Sequence, residues 1–234
     1  MFYRLYASVL LLWLCHQVQA SNLLFCVITA RRPATSYLSP LLEELTRQHA
    51  AFRVVDTDNS TLPSLEALKL ARVTQCVEPS NVISCPVQKQ ALDVLDGLQL
   101  CLSSSHGLRW LALMEDDMLP CAGAIQTMEL FLNSTLSTQS VWHDFKTARF
   151  ANFSRAVVFP LDNIKPYSDY VRAHLRKAPY DSLLNSGGWA PAKSRDYIHA
   201  RSLFSHAGKV STIAERNNPA FVAAYAALRN EACS

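Results

Sequence analysis

The stretch Leu111-Ala-Leu-Met-Glu-Asp-Asp-Met-Leu-Pro120 carries the densest chemistry in the chain. An apolar run that ends in Glu115, Asp116 and Asp117 must place three carboxylates at the water boundary. Like charges so close repel one another unless a cation neutralises them. Their oxygens are hard ligands that suit Mn²⁺ or Mg²⁺, above all where the phosphates of a substrate complete the coordination shell. Acidic residues are also ordinary turn formers at the end of a strand, and this stretch alone leaves both readings open.

The elements around the trio decide where it sits. Leu23-Leu-Phe-Cys-Val-Ile-Thr29 is a short apolar run rich in β-formers, closed by Arg31-Arg32-Pro33, and reads as a buried strand and loop. Ser36 to His49 carries Leu38, Leu41, Leu42 and Leu45 at helical spacing. Phe52 to Asp56 is a second strand that ends in a polar turn. Gln88 to Ser103 is a helix with Leu92, Leu95, Leu98 and Leu102 on one stripe, and Trp110 to Met114 is a third strand. Strands alternating with helices over short connections predict an α/β domain with a mostly parallel sheet. Ligands of such sheets bind outside the carboxyl ends of the strands, the edge that carries both the acidic trio and the Arg31-Arg32 pair. Neither GxGxxG nor GxxxxGK[ST] is present, which disfavours a dinucleotide oxidoreductase and a P-loop NTPase.

Composition sets the class. The chain has 234 residues, of which 50% are hydrophobic and 18% charged, so it is neither disordered nor fibrous. Its net charge of +3 is spread along the chain and gives no basic face for nucleic acid. Residues 1–20 pair a single Arg4 with an apolar run from Leu5 to Cys15 and the small-residue end Val18-Gln19-Ala20. That run is about half of the ~20 residues a bilayer span needs, so a cleaved signal peptide is expected, with a short signal anchor the alternative and the only membrane contact. Residues 21–234 then form one domain. Sequons at Asn59, Asn133 and Asn152 agree with a secretory-pathway lumen, Golgi or ER, or with secretion. Without Cys15 the cysteines are even in number, as a disulfide-bonded protein requires, and Cys76 with Cys85 is the best pair.

The acidic stretch resembles the metal-binding motif of GT-A glycosyltransferases, in particular the N-acetylglucosaminyltransferase IV family. Thr29-Ala-Arg-Arg-Pro-Ala-Thr-Ser-Tyr-Leu38 is similar to that family's first strand-loop-helix, and Lys89-Gln-Ala-Leu-Asp93 to its Lys-Gln-x-Leu-Asp helix. Arg149 to Ser154 resembles the segment after the motif. Lys177-Ala-Pro-Tyr-Asp-Ser-Leu-Leu184 resembles its Lys-Pro-x-Asp-x-Leu-Leu, and Ser202-Leu-Phe-Ser-His-Ala-Gly208 its Ser-Leu-Phe-x-His-x-Gly. The matches run in order from Thr29 to about Thr212. Met118 departs from the family's usual Ile or Val, and its lectin-like C-terminal domain has no counterpart here. The related Golgi family that adds GalNAc to GPI anchors shares the acidic motif but carries a transmembrane hairpin that this sequence lacks.

The resemblance implies a GT-A-type domain with a Rossmann-like mixed sheet, a UDP-sugar donor (UDP-GlcNAc), Mn²⁺ or Mg²⁺, and a glycan acceptor on a glycoprotein or glycolipid. Asp117, last of the trio, is the expected metal ligand. His206 joins it through the flanking pattern, although a lone histidine beside Phe204 is more often a packed side chain. Thr29, Arg31, Arg32, Lys89, Asp93, Glu115 and Asp116 fall to the donor, with the arginines suited to clamp a diphosphate and Glu115 steadying the turn. Asp181 matches the family's proposed base; its bland alternative is a helix N-cap. Gly187-Gly188-Trp189 reads either as a sugar-stacking loop or as a plain turn. A non-catalytic sugar- or nucleotide-binding protein of the same fold is the rival class, and it would be expected to lack the trio or the base. The lumenal expectation is checked directly: made in a eukaryotic secretory host, the protein loses mass on treatment with an N-glycan amidase, and unchanged gel mobility with all cysteines free to alkylate overturns it.

Overall fold

The computed structural model describes residues 22–29, 37–58, 68–69, 83–135, 145–151, 156–191, 194–206 and 233. Strand β1 spans Leu23–Thr29, helix α1 Leu38–Arg47, β2 Ala51–Asp56 and β3 Leu68–Lys69. Helix α2 spans Cys85–Ser103, β4 Trp110–Glu115, β5 Met118–Pro120 and α3 Ala124–Thr135. Then come β6 at Phe145–Arg149, β7 at Val157–Pro160, α4 at Leu161–His174, α5 at Tyr180–Ser186, β8 at Arg195–Ile198 and β9 at Phe204–His206.

Seven strands form one sheet in the order β3-β2-β1-β4-β7-β6-β8, and β5 pairs with β9 in a separate ribbon. Within the seven-stranded sheet all neighbours are parallel except those of β7, which runs against both β4 and β6. This is the mostly parallel, Rossmann-like mixed sheet flanked by helices that the sequence implies. The antiparallel β7 is the feature the strand-helix alternation does not announce.

Every residue of β1 is buried, because both faces of the sheet are covered. Alternate side chains divide between two cores. Leu23, Phe25 and Val27 meet Leu38, Leu41, Leu42 and Leu45 of α1 and Ile125, Met128 and Leu132 of α3. Leu24, Cys26 and Ile28 meet Ala91, Leu95 and Leu98 of α2, and the same core takes in Ile164 and Tyr167 of α4 and Leu183 of α5. Helix α2 begins earlier than its leucine stripe suggests, since Pro86 favours a first turn and needs no hydrogen-bond partner there. Among the described residues no helix is long and apolar enough to cross a membrane.

Two disulfides tie distant parts together, Cys26 to Cys101 and Cys121 to Cys233. Cys85 is also disulfide-bonded, while its expected partner Cys76 lies outside the described residues. So do the leader, Arg31, Arg32, Asn59 and Asn152. Asn133 is exposed on the last turn of α3, where a glycan would meet no core.

Gly97 lets α2 approach the carboxyl end of β1. A Cβ there would lie 2.4 Å from Ile28 Cδ1 and 3.5 Å from Val55 Cγ1. Gly97→Val is therefore expected to destabilise the protein by about 1–3 kcal/mol through overpacking. A lowered thermal midpoint checks it; an unchanged one would mean that Ile28 yields freely.

Candidate functional site

The strand order reverses direction between β1 and β4, which makes their carboxyl ends the topological switch point. Glu115 pairs in register with Ile28, and the Asp116 N–H continues the ladder to Ile28 O at 3.1 Å. The chain then turns, so Asp116 and Asp117 face inward and are each only 4% exposed. Two carboxylates at that depth must find donors or cations.

Asp116 finds Thr29, the last residue of β1, whose hydroxyl donates to Oδ2 at 2.7 Å. Thr29 is held in turn by Thr57, whose N–H and hydroxyl donate to its carbonyl at 3.0 and 3.1 Å. Asp117 Oδ2 lies 3.0 Å from His206 Nε2. That contact follows from the ribbon, in which Met118 stands opposite His206 and Pro120 opposite Phe204. The ribbon is pinned to α1 by Gln48, whose amide donates to Cys121 O at 2.9 Å and accepts from the Ile125 N–H at 3.1 Å.

Glu115 turns elsewhere. Its Oε1 accepts from the Tyr180 hydroxyl at 2.8 Å and from Gln90 Nε2 at 3.3 Å. Burial, reinforced by the charge and hydrogen bond of Glu115, pushes the Tyr180 phenol well above its ordinary range, so it remains a donor. The three carboxylates thus take different directions, Glu115 toward α2 and α5, Asp116 toward the end of β1 and Asp117 toward the ribbon. Their partners include Tyr180 and Gln90, Thr29, and His206, and among the described residues no group of three or more His, Cys, Asp and Glu side chains could hold a metal by itself. The pair that does meet is Asp117 with His206.

Lys89 and Asp93 form a second polar group on α2. Lys89 Nζ contacts Asp93 Oδ2 at 2.6 Å and Asp58 Oδ1 at 3.1 Å, which places it beside the turn after β2. Burial opposes its charge, but the hydrogen bonds and charges of Asp93 and Asp58 outweigh burial and raise its pKa.

Asp181 is half-buried in the first turn of α5, directly after Tyr180. The N-cap is Pro179, so Asp181 is no N-cap; its Oδ1 accepts from the Ser182 N–H at 2.8 Å. A carboxylate there is favoured by the helix dipole. Trp189 is not a sugar-stacking residue: it is 8% exposed, packs on Phe159 and Tyr167, and lies under the Lys146 ammonium.

The structure therefore pairs Thr29 with Asp116 and Asp117 with His206 on two consecutive residues, with Glu115 just before them and Lys89 and Asp93 near the end of β2. Tyr180, Gln90, Thr57 and Asp58 are the members that sequence reasoning did not single out. Gln90 sat in view inside Lys89-Gln-Ala-Leu-Asp93, and Tyr180 inside Pro179-Tyr-Asp181. Both look like packing or turn residues until their partners are known.

No family model matches the chain. No curated protein matches it. Among solved structures, the chain is similar to a glycosyltransferase involved in the glycosylation of the major capsid of PBCV-1, at 13% identity and TM-score 0.45, over 83% of this chain and 96% of that one. It is also similar to a Drosophila β1,4-galactosyltransferase 7 mutant in complex with manganese, UDP-Gal and xylobiose, at 10% identity and TM-score 0.37, over 80% of this chain and 71% of that one.

Thr29→Val removes the hydroxyl that donates to Asp116 Oδ2 without changing the side-chain shape. Weakening the satisfaction of so buried a carboxylate is expected to cost about 1–3 kcal/mol. A denaturant titration measures it, and a midpoint equal to wild type would show that Asp116 does not depend on Thr29.

Proposed function

We propose that this protein is a metal-dependent, inverting GT-A glycosyltransferase of the secretory pathway, acting in the lumen of the Golgi or ER. It transfers a sugar, GlcNAc in the first instance, from a UDP-sugar to a glycan acceptor on a glycoprotein or glycolipid. The observation that carries this is the 3.0 Å approach of His206 to Asp117 at the switch-point edge of the sheet. Motifs 89 residues apart, each read as a metal ligand before any geometry, meet there.

The donor set fits the expected ion. A carboxylate oxygen and an imidazole nitrogen on neighbouring backbones make a mixed O/N pair suited to Mn²⁺ more than to Mg²⁺. Two protein ligands leave the remaining positions to diphosphate oxygens and water. When bound, the ion supplies neutralisation of the charge that builds on UDP as it leaves.

The chain's own residues do the rest. Thr29 keeps the Asp116 carboxylate fixed at the end of β1, where a ribose or a metal-bound water would meet it. Lys89, held by Asp93 and Asp58, contributes positive charge at the β2 side. Asp181 takes the proton of the acceptor hydroxyl as that oxygen attacks the anomeric carbon. The bond from that carbon to the diphosphate oxygen breaks, and UDP departs with its electron pair. Arg31 and Arg32, immediately beyond Thr29 in sequence, suit the diphosphate as bidentate donors.

Two variants test this reading. Asp117→Ala should weaken Mn²⁺-dependent UDP binding by at least about 10²-fold, more than the loss of a mere outer-sphere partner, with the fold retained. Calorimetry with and without EDTA decides it, and equal affinity in mutant and wild type would sink the metal assignment. Asp181→Asn should leave UDP binding intact and lower transfer from UDP-GlcNAc to a glycan acceptor that the wild type uses by roughly 10²–10⁴-fold. If Asp181 serves only the first turn of α5, the same swap costs a few tenths of a kcal/mol in stability and leaves transfer near normal.

A further inference from the structure

Tyr180 is held more firmly than a residue in the first turn of a seven-residue helix needs to be. Its ring is buried in the core that includes Leu183, Leu184 and Trp189. Its carbonyl accepts from the Tyr167 hydroxyl at 3.2 Å, which ties it to α4. Its own hydroxyl reaches across 65 residues of sequence to Glu115 at 2.8 Å. Glu115 is the last residue of β4 and immediately precedes Asp116 and Asp117. Gln90 of α2 donates to the same carboxylate oxygen, so three helices are referenced to one strand end.

Asp181 follows Tyr180 directly, and consecutive Cα atoms lie about 3.8 Å apart. Whatever fixes Tyr180 against Glu115 therefore fixes the backbone of Asp181 against the turn that carries Asp117.

We propose that Tyr180 is a positioning residue: its hydrogen bond to Glu115 sets the distance between the acceptor-activating carboxylate of Asp181 and the donor site at Asp117 and His206. This rests on the glycosyltransferase reading above. Tyr180 touches no reacting atom. Its function is to transfer the position of β4 to α5, so that an acceptor hydroxyl polarised by Asp181 lies in line with the anomeric carbon of a donor held at Asp117. A displacement of about 1 Å between such groups costs up to roughly 10²-fold in rate.

The test uses the full chain with Tyr180→Phe, which keeps the buried ring and deletes only the hydroxyl. The expected result is a kcat for transfer from UDP-GlcNAc lowered roughly 10–100-fold, with donor KM and Mn²⁺-dependent UDP affinity within about twofold of wild type. Amide exchange should accelerate in residues 180–184 and 115–117 while β1 and α1 keep their protection. Glu115→Ala, which also strips Gln90 of its acceptor, should lower kcat at least as much, and the double variant should be no slower than Glu115→Ala, because the tyrosine hydroxyl then has no bond left to lose. A kcat within twofold of wild type overturns the proposal, as do additive losses or a fall in UDP affinity that matches the fall in kcat. A wild-type chain that neither binds UDP with Mn²⁺ nor transfers sugar overturns the glycosyltransferase reading, and this role with it. A wild type that does both, beside an unimpaired Tyr180→Phe, overturns the positioning role alone.

Discussion

Three consecutive carboxylates at the end of a buried strand cannot share one environment. Their mutual repulsion grows as water is removed, and a lone charge in such a place would be costly. In this protein the problem is solved by division. Glu115 is directed to α2 and α5, Asp116 to the end of β1, and Asp117 to the ribbon that carries His206. Each carboxylate thereby becomes a fastening point for a different element, and the elements that carry the remaining candidate residues converge on a few ångströms of strand end.

That convergence depends on the sheet being covered on both faces. With α1 and α3 on one side and α2, α4 and α5 on the other, the sheet offers ligands its edge and not its faces. β1 and β4 are the central pair, and the reversal of strand order between them opens the crevice at their carboxyl ends. Gly97 and Ile28 matter for this reason: the close approach of α2 at that level brings Lys89, Gln90 and Asp93 within reach of the turns after β2 and β4.

Much of this was legible in the sequence. Apolar runs gave β1, β2 and β4, leucine spacing gave α1 and α2, and both periods were strong because each element packs against a full core. The acidic edge followed from the position of the trio alone. Partners chosen in three dimensions were harder. Nothing local connects Tyr180 to Glu115, and a tyrosine between proline and aspartate looks like a turn residue. Trp189 stayed open between a sugar-stacking loop and a plain turn, since the two glycines before it suit either. Burial of the large ring decides against stacking, with its indole N–H donating to Leu184 O at 3.4 Å. The antiparallel β7 also left no trace, because a strand buried on both faces has the same apolar run in either direction.

The two members of the candidate metal pair are positioned by different means. Asp117 leaves the end of β4 and inherits the rigidity of the main sheet. His206 belongs to a ribbon whose strands span only three residues each, and so short a pairing is not stable by itself. Its precision has to come from outside the ladder. Gln48 bridges Cys121 and Ile125, the Cys121 N–H donates to Leu203 O at 2.9 Å, and the Cys121–Cys233 disulfide fixes the exit of β5 to the C-terminal end of the chain. On the Asp117 side these pins fall at Cys121 and Ile125, past the end of β5, and so outside the pair that faces each other. The arrangement keeps a carboxylate and an imidazole together at the sheet edge by contacts that lie outside the pair itself, which is how a short ribbon can hold a side chain in a fixed place.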